Sequence, residues 1–215
     1  MHSNLIVRIF SSIVMFFLLI LATYWSDESF YIFICSIAVL SSFEWYQITK
    51  GSSILQVIAL FCIAVPNASL ISLYHSQNGK QILLWFIFTI WSIDISAYFI
   101  GKCFGGIRIF PTISPGKTCS GCLGAILAGI GCAMCGSIFF DLCSLTLSPI
   151  IGIIFAIIAQ LGDFTESLIK RYYGVKDSGK LIPGHGGILD RVDSLIFTAP
   201  LIAMYVRYKY LIINI

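Results

Sequence analysis

Charged side chains are scarce in this sequence: they account for 11% of its 215 residues, against about a quarter in soluble domains. Hydrophobic residues make up 58%, and the mean hydropathy is +0.95. A chain with so few charges cannot cover the surface of a soluble globular domain. The composition therefore excludes that class and favours a protein that lies in a lipid bilayer.

A basic stripe interleaved with exposed aromatic residues is also missing, although the formal net charge is +3. Such stripes are typical of proteins that bind nucleic acid, so we predict no nucleic-acid partner. The bases gather in two loops, where anionic lipid or a nucleotide phosphate is the expected partner. We find no internal repeat and interpret residues 1–215 as one membrane domain, in which 1–80 hold N-terminal spans without diagnostic motifs and 82–215 hold the charged motifs.

Several apolar stretches reach the length of about 20 residues that a helix needs to cross a bilayer. They predict an all-α, polytopic transmembrane helical bundle of about seven spans, at residues 5–24, 30–48, 54–74, 82–100, 121–140, 145–161 and 194–208. A cytosolic N-terminus puts nearly all loop lysines and arginines on the cytosolic side, with Lys80 as the exception. Arg207 and Lys209 fit less well, near the far end of the last span. We therefore expect the active site at the cytosolic side.

Eight cysteines include the pairs Cys119-x-x-Cys122 and Cys132-x-x-Cys135, which imitate a four-thiolate metal framework. Both pairs lie in or beside a stretch that we predict to be helical. On a helix they would stand ~20 Å apart, too far for one tetrahedral ion. We expect these cysteines to be small buried packing residues.

Three acidic residues fall within or at the end of predicted spans, where an ionisable group costs roughly 2.5 to 3.5 kcal/mol at the bilayer centre. Glu44, Asp94 and Asp163 all lie toward the predicted cytosolic ends. Serines and a tyrosine surround Asp94 on successive turns, which favours a site role. For Glu44, a structural partnership with a neighbouring helix and a site role are equally supported.

The densest charge lies just beyond the predicted sixth span. On a helix, positions i, i+3, i+4 and i+7 share one narrow face, and here they are occupied by Asp163, Glu166, Ser167 and Lys170. The next segment cannot remain helical because it contains Pro183, Gly184, Gly186 and Gly187. Its glycines allow backbone N–H groups to approach a phosphate, as in anion nests. His185 lies in the middle of this segment.

Asp190 and Asp193, spaced i and i+3, open the last span, and their partners across the loop would be Asp163 and Glu166. Hard oxygen ligands of this kind suit Mg²⁺, which completes its coordination with water and substrate phosphates. The arrangement is typical of phosphoryl and nucleotidyl transfer. The alternative interpretation is a solvated charged loop beside the membrane.

An earlier loop, 113–118, ends in Gly-Lys-Thr like a P-loop, but position 111 is Pro111 where that motif needs glycine. We therefore reject a P-loop. Lys117 and Thr118 either bind a phosphate or anchor the loop at the lipid surface.

The charged segments form one long pattern: Ser167-x-x-Lys170-Arg171, Lys176-Asp177-x-Gly179, and Pro183-x-His185-Gly186-Gly187-x-x-Asp190-Arg191-x-Asp193. This pattern resembles the complete signature of the phosphatidate cytidylyltransferase family. The stretches 94–98, 114–118 and 162–166 are similar to other recurring segments of that family. The resemblance implies a polytopic inner-membrane enzyme that makes CDP-diacylglycerol and pyrophosphate from CTP and phosphatidic acid. It also implies Mg²⁺, K⁺ as a second ion, and a homodimer.

The resemblance further implies roles for individual residues. The metal ligands would be Asp163 and Asp190, with Glu166 and Asp193 as further candidates. The catalytic set would comprise Asp163, Asp190, Lys170 and Arg171. The substrate-binding set would comprise Ser167, Lys176, Asp177, His185, Gly186, Gly187, Arg191, Ser114, Lys117, Thr118 and Asp94.

Two other functions are compatible with parts of this pattern. A CTP-dependent polyprenol or lipid kinase would share the nucleotide and the metal but transfer the terminal phosphoryl group. A transporter also buries acids along an ion pathway, but the sequence shows no inverted repeat and its polar groups gather at one end. A CDP-alcohol phosphotransferase is disfavoured because its spaced Asp-Gly-x-x-Ala-Arg pattern is absent.

Overall fold

The computed structural model describes residues 2–50 and 52–213, and these form seven α-helices and one β-hairpin. The helices are α1 (His2–Trp25), α2 (Asp27–Thr49), α3 (Ser53–Tyr74), α4 (Gly79–Phe104), α5 (Cys119–Phe140), α6 (Ser148–Tyr172) and α7 (Leu189–Ile213). The hairpin pairs β1 (Arg108–Phe110) antiparallel to β2 (Ser114–Thr118).

Each predicted span corresponds to one helix, which confirms a polytopic helical membrane protein. Within the described residues, α1 to α6 are long and apolar enough to cross a membrane. Helix α7 is not among them, and charged residues lie at both of its ends: Asp190, Arg191 and Asp193 at the start, and Arg207 and Lys209 near the finish.

The sixth span was predicted to end at residue 161, with Asp163 to Lys170 also on a helix. Helix α6 runs without a break to Tyr172, and its polar residues Glu166 and Lys170 lie on a face that packs inside the protein. The loop after α4 contains a short hairpin, so the protein is not purely helical. Gly105, at φ 61°, ends α4 and turns the chain toward β1.

Close packing of α5 against its neighbours relies on small residues. A Cβ atom on Gly129 would lie 2.5 Å from the carbonyl oxygen of Gly152 in α6. Such contacts let helix backbones approach closely, which is how helices associate in a bilayer. The four cysteines of the two pairs were expected to be buried, and that expectation is wrong: Cys119 and Cys135 are exposed, and Cys122 and Cys132 are half-buried. Glycine and alanine occupy the packed faces of α5 instead.

The helices run alternately up and down, which gives the bundle two distinct ends. At the end that we term the site end, the finishes of α2, α4 and α6 meet the starts of α3, α5 and α7. At the opposite or far end, the Tyr74 hydroxyl donates to Asp27 (2.8 Å) and the Tyr205 hydroxyl donates to the carbonyl of Leu142 (2.7 Å). Helix α7 packs between α3 and α6, which brings Asp190 beside the polar face of α6.

Candidate active site

Lys170 lies between two carboxylates at the site end. Its Nζ donates to Glu166 Oε2 at 2.6 Å, one helical turn earlier on α6, and to Asp190 Oδ1 at 2.5 Å, on α7. All three side chains are less than 10% exposed. The predicted shared face of α6 is therefore confirmed for Glu166 and Lys170, and the lysine joins that face to α7. One lysine and two acidic side chains are thus concentrated in a nearly buried volume.

The segment 173–188, here termed the signature loop, wraps around the carboxylate of Asp190. The backbone N–H groups of Ser178 and Gly187 each donate to Asp190 Oδ2, both at 2.9 Å. Gly186 has φ +95°, a conformation that only glycine adopts readily, and its backbone pairs with Ile182. The loop glycines therefore serve the fold by bringing N–H groups to a carboxylate of the protein itself.

Asp163 is paired with a different lysine. Lys117 Nζ, on β2, lies 3.0 Å from Asp163 Oδ2 and donates to the carbonyl of Gln160 at 3.2 Å. The Ser167 hydroxyl donates to Asp163 Oδ1 at 3.3 Å. The two contacts of Lys117 fix the hairpin to α6. Asp163 and Asp190 each form an ion pair with a different lysine, and the metal ion that they were predicted to share stays a prediction.

A second group of acids lies between these two ion pairs. The Ser194 hydroxyl donates to Asp94 Oδ1 at 3.4 Å, and Asp193 is close enough to Asp163 and Glu166 for their charges to interact. Oxygen Oε1 of Glu166 is buried, and no N–H or O–H donor within residues 2–50 and 52–213 reaches it. Neighbouring carboxylates with an unpartnered oxygen repel one another unless a proton or a cation lies between them.

The donor chemistry here fits a divalent cation, because the candidate ligands are hard carboxylate oxygens and no donor in the described part of the chain reaches Glu166 Oε1. No group of three or more His, Cys, Asp or Glu side chains within residues 2–50 and 52–213 is arranged as a ready metal site. The magnesium site therefore stays a prediction, with Asp163 and Asp190 as its candidate ligands and Glu166 and Asp193 as further candidates.

The two arginines of the signature hold loops in place and remain exposed. Arg171 donates to the carbonyls of Ile113 (3.2 Å) and Val175 (2.9 Å), which ties the hairpin turn to the signature loop. Arg191 donates to the carbonyl of His185 at 2.9 Å. Because a guanidinium has five N–H donors, both keep donors for a ligand. Lys176 and Asp177 are exposed on the signature loop, outside the buried cluster.

His185 contacts α1, a part of the chain that sequence reasoning left without a role. Its Nδ1 lies 2.8 Å from the Ser11 hydroxyl and its Nε2 lies 3.2 Å from the Ser12 hydroxyl. Partial burial lowers the pKa of His185 from its ordinary value, and the nearby charges of Arg191 and Arg8 lower it further. His185 is therefore held as the neutral ring near pH 7, with one nitrogen donating and the other accepting.

Glu44 is the acid whose role the sequence left open, and the structure places it against the signature loop. It is 1% exposed and accepts from the Ser178 hydroxyl (2.8 Å), Ile188 N–H (3.0 Å) and Leu189 N–H (2.9 Å). The signal available in the sequence was an acid within a predicted span. The partner of Glu44 could not be predicted from spacing, because more than 130 residues separate Glu44 from Ser178.

Thr118 and Ser114 lie on the hairpin beside the cluster. Thr118 caps the start of α5, where its hydroxyl accepts from Gly121 N–H at 3.2 Å. Ser114, at the start of β2, is half-exposed. Phosphate binding by these two residues stays a prediction.

An apolar groove of about 220 Å³ lies next to Lys117, between the hairpin, α5 and α6. Phe110 and Phe164 form part of its wall, with their rings stacked at a centroid distance of 4.0 Å. The remaining lining is Ile109, Cys122, Ile126, Ile157, Gln160 and Leu161. The apolar groove thus adjoins the ion pair between Lys117 and Asp163.

These features define a polytopic helical membrane protein with a charged, largely buried site at one end of its bundle. The chain belongs to the Cytidylyltransferase family, whose model matches residues 5–209. The match includes the N-terminal helices, in which the sequence showed no diagnostic motif.

Similar relatives carry the name phosphatidate cytidylyltransferase. That of Rickettsia bellii is 38% identical over 207 residues, covering 93% of this chain and 90% of the relative. That of Rickettsia felis is 36% identical over 206 residues, covering 93% and 91%. That of Staphylococcus saprophyticus is 40% identical over 149 residues, covering 67% of this chain and 57% of the longer relative.

Proposed function

We propose that this protein is a phosphatidate cytidylyltransferase, a nucleotidyltransferase that makes CDP-diacylglycerol and pyrophosphate from CTP and phosphatidic acid. The observation that carries the proposal is the buried arrangement of Glu166, Lys170 and Asp190, enclosed by the signature loop in a membrane protein of this family. A charged site within a lipid-embedded bundle suits a reaction between a water-soluble nucleotide and a membrane lipid.

The groove beside Lys117 suits the lipid substrate. Its apolar walls match the acyl chains of phosphatidic acid. The Lys117 ammonium, which pairs with Asp163, lies where it could bind the lipid phosphate. Arg171, Lys176 and Arg191 are exposed at the same end of the bundle, where they can bind the phosphates of CTP.

In the proposed reaction, a phosphate oxygen of phosphatidic acid attacks the α-phosphorus of CTP. A new P–O bond forms there, the bond from the α-phosphorus to the bridging oxygen of the β-phosphate breaks, and pyrophosphate leaves with that electron pair. A phosphate monoester is already ionised near neutral pH, so the protein needs no strong base. Its side chains bind, orient and neutralise the phosphates.

The residues that would hold Mg²⁺ are Asp163 and Asp190, with Glu166 and Asp193 as further ligands and K⁺ as a candidate second ion. When bound, the divalent ion would neutralise charge on the phosphate oxygens. Lys170 holds the Glu166 and Asp190 carboxylates together, and Lys117 holds Asp163. The lysines therefore preorganise the acids as well as balancing their charge.

We further propose that the protein lies in the inner membrane as a homodimer, with its N-terminus and site end in the cytosol. The support for this orientation is the charge distribution. Arg108, Lys117, Lys176 and Lys180 lie at the site end, whereas Lys80 and Lys209 lie at the far end. Cysteine-labelling accessibility in sealed membrane vesicles tests the orientation.

The deciding experiment uses the purified protein in detergent with phosphatidic acid, Mg²⁺ and CTP labelled at either the α- or the γ-phosphate. Nucleotidyl transfer puts the α-label into the lipid, whereas a CTP-dependent lipid kinase would put the γ-label there. We expect α-labelled lipid and its loss with EDTA. Labelled lipid from γ-labelled CTP alone would replace the proposal with the kinase.

Replacing Asp190 with Asn is expected to leave membrane insertion intact and to remove nearly all turnover. The amide would present N–H donors to the N–H groups of Ser178 and Gly187, which now donate to this carboxylate. Asp141→Asn is the matched control, because Asp141 lies at the far end with its side chain 94% exposed. Substantial activity in Asp190→Asn would count against the assignment of this site.

A further inference from the structure

Glu44 is buried, and no salt bridge among the described residues involves it. A buried carboxylate is costly unless hydrogen bonds replace its hydration. Two of its three donors are the backbone N–H groups of Ile188 and Leu189, where α7 begins. A helix start offers unsatisfied N–H groups and the positive end of the helix dipole, so a carboxylate is stabilised there. Glu44 thereby attaches the end of α2 to the start of α7.

The contacts of Glu44 lead to Asp190 through Ser178. The Ser178 hydroxyl donates to Glu44 Oε2 at 2.8 Å and accepts from Asp190 N–H at 3.3 Å. The backbone N–H of the same serine donates to Asp190 Oδ2 at 2.9 Å. A displacement of Glu44 therefore moves Ser178, which holds both the backbone and the carboxylate of Asp190.

Two glycines of the signature loop lie directly against Glu44. A Cβ atom on Gly179 or on Gly187 would overlap the Glu44 carboxylate, and one on Gly187 would also overlap the Ser178 hydroxyl. Neither glycine has the positive φ that would by itself require glycine. The close approach of the Glu44 carboxylate accounts for glycine at both positions, so the loop sequence is matched to an acid on a distant helix.

We propose that Glu44 is a positioning residue for the reaction: it holds the signature loop so that Ser178 fixes Asp190 against Lys170. The inference rests on the proposed function, since it assigns the loop to that site. It gives α2 a part in catalysis without contact to the substrates.

The test compares Glu44→Gln with Glu28→Gln, which makes the same change at an exposed position on the same helix, at the far end. Glutamine keeps the shape of Glu44 but turns an amide N–H₂ group toward N–H and O–H donors. We expect kcat for α-label transfer to fall at least about tenfold, because a misplacement of about 1 Å in a site can cost a hundredfold. KM for CTP should change less, because two of the three proposed CTP ligands, Arg171 on α6 and Arg191 on α7, lie outside the signature loop.

A second readout reports the loop without reference to activity. Lys176 and Lys180 are exposed on the signature loop, so trypsin cleaves there at a rate that depends on loop opening. Cleavage should be faster in Glu44→Gln than in the wild type or Glu28→Gln. Ser178→Ala, a milder change that leaves Glu44 its two backbone donors, should shift both readouts in the same direction. Combined with Glu44→Gln, it should add little.

Wild-type values of kcat and of the cleavage rate in Glu44→Gln would overturn the inference, as would independent effects of the two substitutions. If the wild-type protein forms no α-labelled lipid, the proposed function fails, and the cleavage rates alone decide whether Glu44 holds the loop. If labelled lipid forms and Glu44→Gln behaves like Glu28→Gln, only this inference fails.

Discussion

Replacing Lys170 with Met would remove the cation that lies between Glu166 and Asp190. The lysine is 2.6 Å from one carboxylate and 2.5 Å from the other, and none of the three side chains is more than 9% exposed. Methionine keeps much of the volume of the lysine side chain, so packing changes little. The two carboxylates would then face each other in a poorly hydrated volume without a positive charge.

Breaking a buried ion pair by removing one partner costs about 3 to 5 kcal/mol. The lower part of that range is expected here, about 3 kcal/mol, because Asp190 keeps the N–H donors of Ser178 and Gly187. Among the residues that the structure describes, no N–H or O–H donor reaches Glu166 Oε1, so Glu166 carries most of the loss. Adding Glu166→Gln to Lys170→Met should therefore recover about 1 kcal/mol or more.

The measurement is the free energy of unfolding in detergent micelles titrated with SDS, monitored by helical circular dichroism. Lys80→Met is the control: its partner Asp27 lies 4.0 Å away and is 57% exposed, so a loss of about 1 kcal/mol at most is expected. A loss below about 1 kcal/mol for Lys170→Met, or further destabilisation by Glu166→Gln, would refute the reasoning.

Two further predictions concern the signature loop. The low pKa of His185 means that its stabilising contribution as a neutral ring is complete above its ordinary value of 6.5 and is lost as pH falls through the lower folded value. Thermal unfolding at about pH 7.5 and about pH 5 should show a larger loss in the wild type than in His185→Asn, and equal losses would contradict the assignment. Gly187→Ala should destabilise the protein by about 1 to 3 kcal/mol, because its methyl group would overlap Ser178 and Glu44. Gly131→Ala, whose methyl group would meet nothing within 4 Å, should have little effect in the same unfolding assay, and similar losses in both variants would remove the steric explanation.

The sequence was most informative where one local rule decides the outcome. Hydropathy predicted a helix at each of the seven positions, and the rule is clearest for α1 to α6, because a bilayer-spanning helix needs a long apolar run whatever its neighbours are. The spacing of Glu166 and Lys170 placed them on one face of α6, where they form an ion pair, because helix geometry alone brings i and i+4 together. The resemblance carried by the segment from Ser167 to Asp193 agrees with the family to which the chain belongs.

The sequence was less informative about the ends of helices and the structure of the loops that connect them. Helix α6 extends to Tyr172 and includes Asp163, Ser167 and Lys170, although a rule based on apolar residues ends it near residue 161. Polar residues can continue a membrane helix when their face is buried in protein, and hydropathy does not register that face. The hairpin was missed for a related reason: its strands of three and five residues are too short for an alternating pattern to show.

Helix count, membrane class, family and the chemistry of the candidate residues were thus properties of the sequence by itself. Only the tertiary structure decided that Lys117 pairs with Asp163, that Lys170 bridges α6 and α7, and that Glu44 meets the signature loop. Each of these contacts joins residues 20 or more positions apart. Helical periodicity sets which way a side chain faces along its own helix, whereas its partner on another helix depends on how the helices pack against one another.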